Sequence, residues 1–301
     1  MRVEKNVLLE MNHISKTFPG VRALKDVHFK IHKGEIMAFM GENGAGKSTL
    51  IKIITGYYRR DPGKGEVIFD GHPINPKNTD EAQKLGISTI FQELNLSPFL
   101  SVAENIYLGN APMKNGIIDW NKMNEDARKA LAELGVEVDV TAQLSQQSTA
   151  IQQMVSIARA LARNTKLLIM DEATSSLDTG EVKVLFEVVK NLKAKGISTI
   201  FVTHKMDEIY QLCDSATIYR DGEYVACLPL SELPKLKLIS LMIGRDASEL
   251  LNKRKKYDLN KIKSEVICRV KEIRKANHRL NGINLEWCGI KKVDSLFSRI
   301  S

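Results

Sequence analysis

The chain has 301 residues, enough to bury a full core in one or two domains. Its composition, 43% hydrophobic and 27% charged, is that of an ordinary globular protein, and no apolar run is long enough to cross a bilayer as a helix. The net charge of +8 suits anionic partners such as nucleotide phosphates, nucleic acid or an acidic membrane surface, and the four scattered cysteines, with no CxxC pair, suit a reducing cytosol.

The opening stretch, MRVEKNVLLEMNH, carries no apolar segment of secretory type. Residues 8–41 alternate apolar and polar positions between turn signals, which predicts short strands. IMAFMG (36–41) is an apolar run ending at glycine, and a helical pattern follows from Lys47. Apolar runs recur at ISTIF (87–91), LLIMD (167–171) and STIFVTH (198–204). Helix-period segments at 123–134, 151–163, 180–195 and 206–213 separate them. That alternation predicts an α/β fold with a mostly parallel sheet covered on both faces. Short apolar runs and turns return over 221–234, a helix is expected over 236–251, and the basic run NKRKKYDLNKIK (252–263) reads as a solvated linker.

GENGAGKST (41–49) fits G-x-x-x-x-G-K-[ST] between an expected strand and an expected helix. Gly41, Gly44 and Gly46 let the backbone curl so that successive N–H groups face phosphates. Those groups sit at a helix N-terminus, where the dipole favours anions. Lys47 is expected to reach the β- and γ-phosphates of ATP, and Ser48 to ligate Mg²⁺. A glycine-rich turn that merely caps a helix is the structural alternative.

LLIMDE (167–172) places Asp171 and Glu172 at the C-terminal edge of a buried strand, where α/β sheets bind ligands. Asp171 is expected to hold Mg²⁺ partly through water, and Glu172 to act as general base toward the attacking water. The same pair could also cap a helix. His204, after another apolar strand, could bridge the γ-phosphate and the water. Gln92, after ISTIF, could touch both Mg²⁺ and the water. Taken singly, such a histidine or glutamine is more often structural.

The order of these residues, from phosphate loop through Gln92 and Asp171-Glu172 to His204, resembles the nucleotide-binding domain of ABC ATPases over roughly residues 5–245. The resemblance implies a P-loop NTPase with a RecA-like parallel core, an N-terminal antiparallel β subdomain and a helical subdomain over about 93–155. It assigns ATP contacts to Gly41, Glu42, Asn43, Gly44, Ala45, Gly46, Lys47, Ser48 and Thr49, and stacking on adenine to Phe18. Asp178, in SSLD (175–178), falls where the family contacts an opposite subunit.

The family's LSGGQ-type signature has two candidate registers here, Leu144–Gln147 and Gln147–Ile151. In the family the signature runs straight into a helix resembling QMVSIARAL (153–161), which places its serine at Ser148, a plausible N-cap for a helix facing inward with Ile151, Met154, Val155 and Ala158. Thr149 and Ala150 then stand where glycines are usual, so their Cβ atoms are expected to hold the backbone away from a γ-phosphate presented by another subunit. Ala173 replaces a common proline.

ALKDVHFKI, FQELNL, QQMVSIARAL, DEATSSLD and FVTHKMDEIYQLCD narrow the resemblance to ATP-binding proteins of bacterial monosaccharide importers, the group serving ribose, xylose, galactose and galactofuranose. In that group one polypeptide carries two ATPase halves. LLEMNHI (8–14) resembles ICRVKEI (267–273), and LKDVHFKI (24–31) resembles LNGINLEW (280–287). The expected domains are therefore an ATPase domain over 1–245, a charged linker over 246–266, the truncated start of a second half over 267–287, and an unassigned tail over 288–301. The implied partners are integral membrane permease subunits, a periplasmic or lipoprotein sugar-binding protein, and a second ATPase half or another copy of the chain. The implied location is the cytoplasmic face of the inner membrane. FQELNLSPFL would lie beside the groove for a membrane partner's coupling helix. Two alternatives are a catalytically impaired fragment that only binds ATP, and a non-transport ABC ATPase of DNA repair or translation. No nucleic acid is expected, because the coiled coils, zinc hooks or nucleic-acid-binding insertions of that last class are not evident.

Overall fold

Two twelve-residue strands, β1 (Val7–Phe18) and β2 (Val21–His32), form an antiparallel ribbon rather than a series of short strands. The computed structural model describes residues 7–63, 65–91, 95–244, 266–273 and 283–288. The chain divides into two compact units, Met1–Arg245 and Asp246–Ser301. The ribbon kinks where the register shifts between Met11 and Ile14, and its bulge residues His13 and Asp26 both take a left-handed φ of 56°.

After the ribbon come β3 (Ile36–Met40), α1 (Lys47–Ile54), β4 (Glu66–Phe69), β5 (His72–Pro73), α2 (Thr79–Lys84) and β6 (Ile87–Ile90). The helical region follows with α3 (Val102–Ile106), the small hairpin β7 (Met113–Lys114) and β8 (Ile117–Ile118), α4 (Trp120–Ala132), a 3-10 turn at Leu144–Gln146 and α5 (Thr149–Leu161). The remaining elements of the first unit are β9 (Leu167–Asp171), α6 (Thr179–Ala194), β10 (Ser198–Val202), α7 (Met206–Leu212), β11 (Ser215–Arg220), β12 (Glu223–Pro229) and α8 (Lys235–Ile243).

Strands β2-β1-β4-β5 make an antiparallel sheet. A second sheet has the order β12-β11-β3-β10-β9-β6, parallel throughout except for the β11–β12 hairpin at its edge. Every residue of β3 and β10 is buried, as continuous apolar runs require when a parallel sheet is covered on both faces. Burying each such Ile, Phe or Met contributes about 1.5–3 kcal/mol. Met123, Ala127 and Leu131 stand four residues apart on α4 and pack with Val102 and Ala103 of α3 and Met154, Val155 and Ala158 of α5.

Local chemistry sets the helix starts. The Asp119 carboxylate accepts from the Lys122 amide, so α4 begins before the periodic stretch expected at 123. Ser148 accepts from the Ile151 amide and starts α5 at Thr149, two residues ahead of the expected 151. The helix expected over 236–251 stops at Ile243, because Gly244 adopts a left-handed C-terminal conformation, with φ of 73°.

In the second unit, β13 (Val266–Ile273) and β14 (Ile283–Cys288) form an antiparallel pair. Its register repeats that of β1–β2. Leu9↔Ile31, Glu10↔Lys30, Met11↔Phe29 and Ile14↔Val27 correspond to Cys268↔Trp287, Arg269↔Glu286, Val270↔Leu285 and Ile273↔Ile283. The shift between Met11 and Ile14 recurs between Val270 and Ile273. Of the linker expected over 246–266 and the tail expected over 288–301, Val266 and Cys288 belong instead to the ends of β13 and β14, and the rest lies outside the described residues.

Candidate active site

The loop that follows β3 turns where side chains would collide. Gly41 has φ of 154°, and a Cβ there would lie 2.4 Å from the Tyr219 carbonyl oxygen. At Gly46, with φ of 96°, a Cβ would meet the Ala23 carbonyl oxygen at 2.7 Å. Gly46 also occupies the N-cap of α1, and no side chain caps that helix. The first amides of α1 are thus left to a ligand, at the positive end of the helix dipole.

Lys47 folds back over this loop. Its Nζ donates to the carbonyl oxygens of Gly41 at 2.7 Å and Glu42 at 3.0 Å. Burial lowers its pKa below the usual lysine value, while the charges of Asp171 and Glu172 pull it partly back up. Burial, reinforced by Glu172, raises the Asp171 pKa. A buried cation and two carboxylates therefore share one place.

A cleft of about 820 Å³ gathers the parts. Asn43, Gly44, Gly46, Lys47, Ser48 and Thr49 line one side, and Asp171, Glu172 and His204 line another. Phe18 stands on its wall, half-buried, with Tyr58 edge-on to its ring at 5.2 Å. Gly41 and Ala45 are buried behind the loop, and Glu42 is exposed. Strand β10 ends at Val202, so Thr203 and His204 lie past it, and Nε2 of His204 comes within 2.6 Å of Oε1 of Glu172. Glu172 takes a left-handed φ of 51°, and its amide donates to the Val202 carbonyl at 2.9 Å, which fixes the loop after β9 against the end of β10.

Ser148, Thr149 and Ala150 lie at the start of α5 and not among the residues lining this cleft. Asp178 is also apart from it. Its carboxylate caps α6, accepting from the amides of Gly180 at 2.7 Å and Glu181 at 2.8 Å, with Glu181 completing a capping box. Gln92 lies outside the described residues.

The cleft has walls that motif reading missed. Gly20 of the β1–β2 turn lines it together with Val21 and Arg22 at the start of β2, and the β11–β12 turn contributes Asp221 and Gly222. The dipeptides Pro-Gly and Asp-Gly mark both as turns. Nothing local says that they meet; the Lys25 amide donates to the Gly222 carbonyl at 2.8 Å and holds them together.

The sequence profile described as "ABC transporter" matches residues 24–175. The galactofuranose transporter ATP-binding protein YtfR of Escherichia coli K12 is 46% identical over 239 residues, covering 79% of this chain and 47% of that protein. The galactose/methyl galactoside import ATP-binding protein MglA of Yersinia pestis is 43% identical over 266 residues, covering 88% of this chain and 51% of that protein. The chain thus spans about half the length of the curated relatives it matches. Among solved structures, the ADP conformation of MJ1267, an ATP-binding cassette of an ABC transporter, aligns with a TM-score of 0.69 at 28% identity, covering 82% of this chain and 98% of that one.

Proposed function

Because this chain belongs to the ABC transporter family, we propose that it binds Mg²⁺–ATP in the cleft between Phe18 and His204 and hydrolyses it to drive uptake of a monosaccharide. One observation carries the reading: Lys47, Asp171, Glu172 and His204 line a single cleft, with the last two 2.6 Å apart. The sugar class follows from the transport named for the relatives.

The triphosphate lies along the uncapped amides at the start of α1. Lys47 exchanges its carbonyl contacts at Gly41 and Glu42 for the β- and γ-phosphates. Ser48 and Asp171 offer the hard oxygen donors that magnesium takes, and they line the same cleft. Among the described residues, no group of three or more His, Cys, Asp or Glu could hold a metal alone. That sparse donor set fits an ion that draws its remaining ligands from phosphate and water. When bound, magnesium neutralises charge on the β- and γ-oxygens. Glu172 accepts a proton from the water that attacks the γ-phosphorus as the bond to the leaving ADP oxygen breaks. His204 steadies the Glu172 carboxylate and faces the γ-phosphate. Phe18 presents a ring for the adenine, and Gln92 is assigned to the water and the metal.

Ser148, Thr149 and Ala150 stand away from the cleft, which supports a site completed by a second ATPase domain, with Asp178 at that contact. The repeated strand register supports reading residues 267–287 within the start of such a second half. A groove of about 730 Å³ beside Tyr57, Gln83, Phe91, Asn95 and Arg159 is where we place the coupling helix of a membrane subunit. No helix among the described residues is long and apolar enough to cross a membrane; we assign the membrane passage to permease subunits. The chain then sits peripherally at the cytoplasmic face of the inner membrane, and a sugar-binding protein delivers the cargo from the other side.

The test is calorimetric titration of the full chain with Mg²⁺–ATP, followed by hydrolysis assays with and without the permease. Saturable, magnesium-dependent binding that Lys47→Ala weakens by about tenfold or more is the expected result. No binding, or binding indifferent to Lys47→Ala, overturns the reading.

A further inference from the structure

Beneath the His204–Glu172 contact lies a buried carboxylate that no step above uses. Glu208, in the first turn of α7, is 7% exposed. Its Oε2 accepts from the hydroxyl of Thr174 at 2.8 Å and from the hydroxyl of Thr203 at 3.1 Å. Both threonines are buried. Thr174 stands two residues after Glu172 on the loop following β9, and Thr203 immediately precedes His204 on the loop following β10. The same carboxylate thus grips both loops that present the reacting pair.

Lys205 closes the arrangement. Its Nζ lies 3.0 Å from Oε1 of Glu208 and donates to the Thr174 carbonyl at 3.0 Å, while its amide donates to the Thr203 hydroxyl at 3.1 Å. A buried carboxylate with hydroxyl donors on one oxygen and an ammonium beside the other has its charge compensated. Removing it leaves the Thr174 and Thr203 hydroxyls without their shared acceptor, at a place where no water replaces it readily.

We propose that Glu208 is a positioning residue: by tying Thr174 to Thr203 it sets the distance and orientation between Glu172 and His204. This rests on the hydrolytic reading above only for its catalytic consequence; the geometric consequence stands without nucleotide. Glu208 touches neither substrate nor metal in this account, so its loss is felt in turnover and not in nucleotide affinity.

The experiment uses the full chain with ¹³C-labelled histidine, the His204 imidazole signal being assigned by its loss in His204→Asn. In the nucleotide-free Glu208→Ala variant that signal moves away from its wild-type position, and in Glu208→Gln, whose amide oxygen still accepts from both hydroxyls, it returns most of the way. Turnover in Glu208→Ala falls about tenfold or more, as expected when a reacting group is misplaced by a fraction of an ångström, while Mg²⁺–ATP affinity stays within about twofold. Should Glu208→Ala fail to fold, Thr174→Val and Thr203→Val each remove one hydroxyl bond to Glu208 at nearly constant volume, Thr203→Val also the acceptor of the Lys205 amide, and carry the same expectation. An unmoved His204 signal in the folded variants overturns the proposal, as does a Gln variant no better than the Ala variant. Wild-type protein that binds no ATP overturns the hydrolytic reading instead and leaves the His204 measurement standing as the test.

Discussion

Gly41 and Tyr219, far apart in the sequence, meet so closely that a Cβ on Gly41 would lie 2.4 Å from the Tyr219 carbonyl oxygen and 2.9 Å from Cβ of Ala45. Strand β11, which carries Tyr219, lies directly beside β3, which ends just before Gly41. The phosphate loop is thus moulded against the neighbouring strand as well as by its own sequence. Gly41→Ala is expected to destabilise the fold by about 3 kcal/mol, since backbone cannot yield as a flexible side chain can. Chemical denaturation of the nucleotide-free chain measures this, and a loss under about 0.5 kcal/mol would contradict the collision.

Glu172→Gln separates binding from chemistry. The amide keeps the shape and can still meet His204, but it cannot take a proton from water. Turnover is expected to drop at least about 100-fold with Mg²⁺–ATP affinity retained. Parallel phosphate-release and titration measurements decide it, and turnover close to wild type removes Glu172 from the general-base role.

For Lys47→Ala the expectation is reversed, with affinity itself lost. A charge-assisted hydrogen bond contributes roughly 1.5–3 kcal/mol, so the dissociation constant should rise about tenfold to a hundredfold. Titration calorimetry reads this directly.

Asp171 links stability to pH. Its pKa in the folded chain is raised, first by burial and then by Glu172. Between the ordinary carboxylate value of 3.8 and that raised value the folded state holds more proton than the unfolded one, so the group's contribution to stability is lost as pH climbs through this window. Asp171→Asn removes the cost of an ionised carboxylate. Its nucleotide-free Tm at neutral pH should exceed wild type, and the gap should close as pH falls toward the unfolded value. The magnesium-dependent rise in Tm with ATP should vanish in the same variant. A lower Tm at neutral pH in the isosteric variant would count against the burial argument.

Helix α5 begins at Thr149, so Thr149 and Ala150 are its first two residues. Replacing both by glycine is expected to cost roughly 1 kcal/mol of stability through backbone entropy. If their Cβ atoms hold off a phosphate from a partner domain, the same double variant hydrolyses ATP faster despite being less stable. Equal or slower turnover in an assay with partner present refutes that reading of the signature.

The phosphate loop, the apolar strands that lead into Gly41 and Asp171, and the cap at Ser148 were legible from residue types at short spacing. Their physics is local: glycine dihedrals, a periodic apolar run, a hydroxyl reaching an amide three residues on. Long-range placement was not legible. That β3 lies between β11 and β10 is what sets Tyr219 against Gly41 and brings the turn at Asp221 to the cleft. That β9 and β10 are neighbours is what brings Glu172 to His204 and lets Glu208 reach Thr174 and Thr203 together. Strand order is chosen by the burial of whole faces, a sum over distant residues, so no short stretch of the chain encodes it.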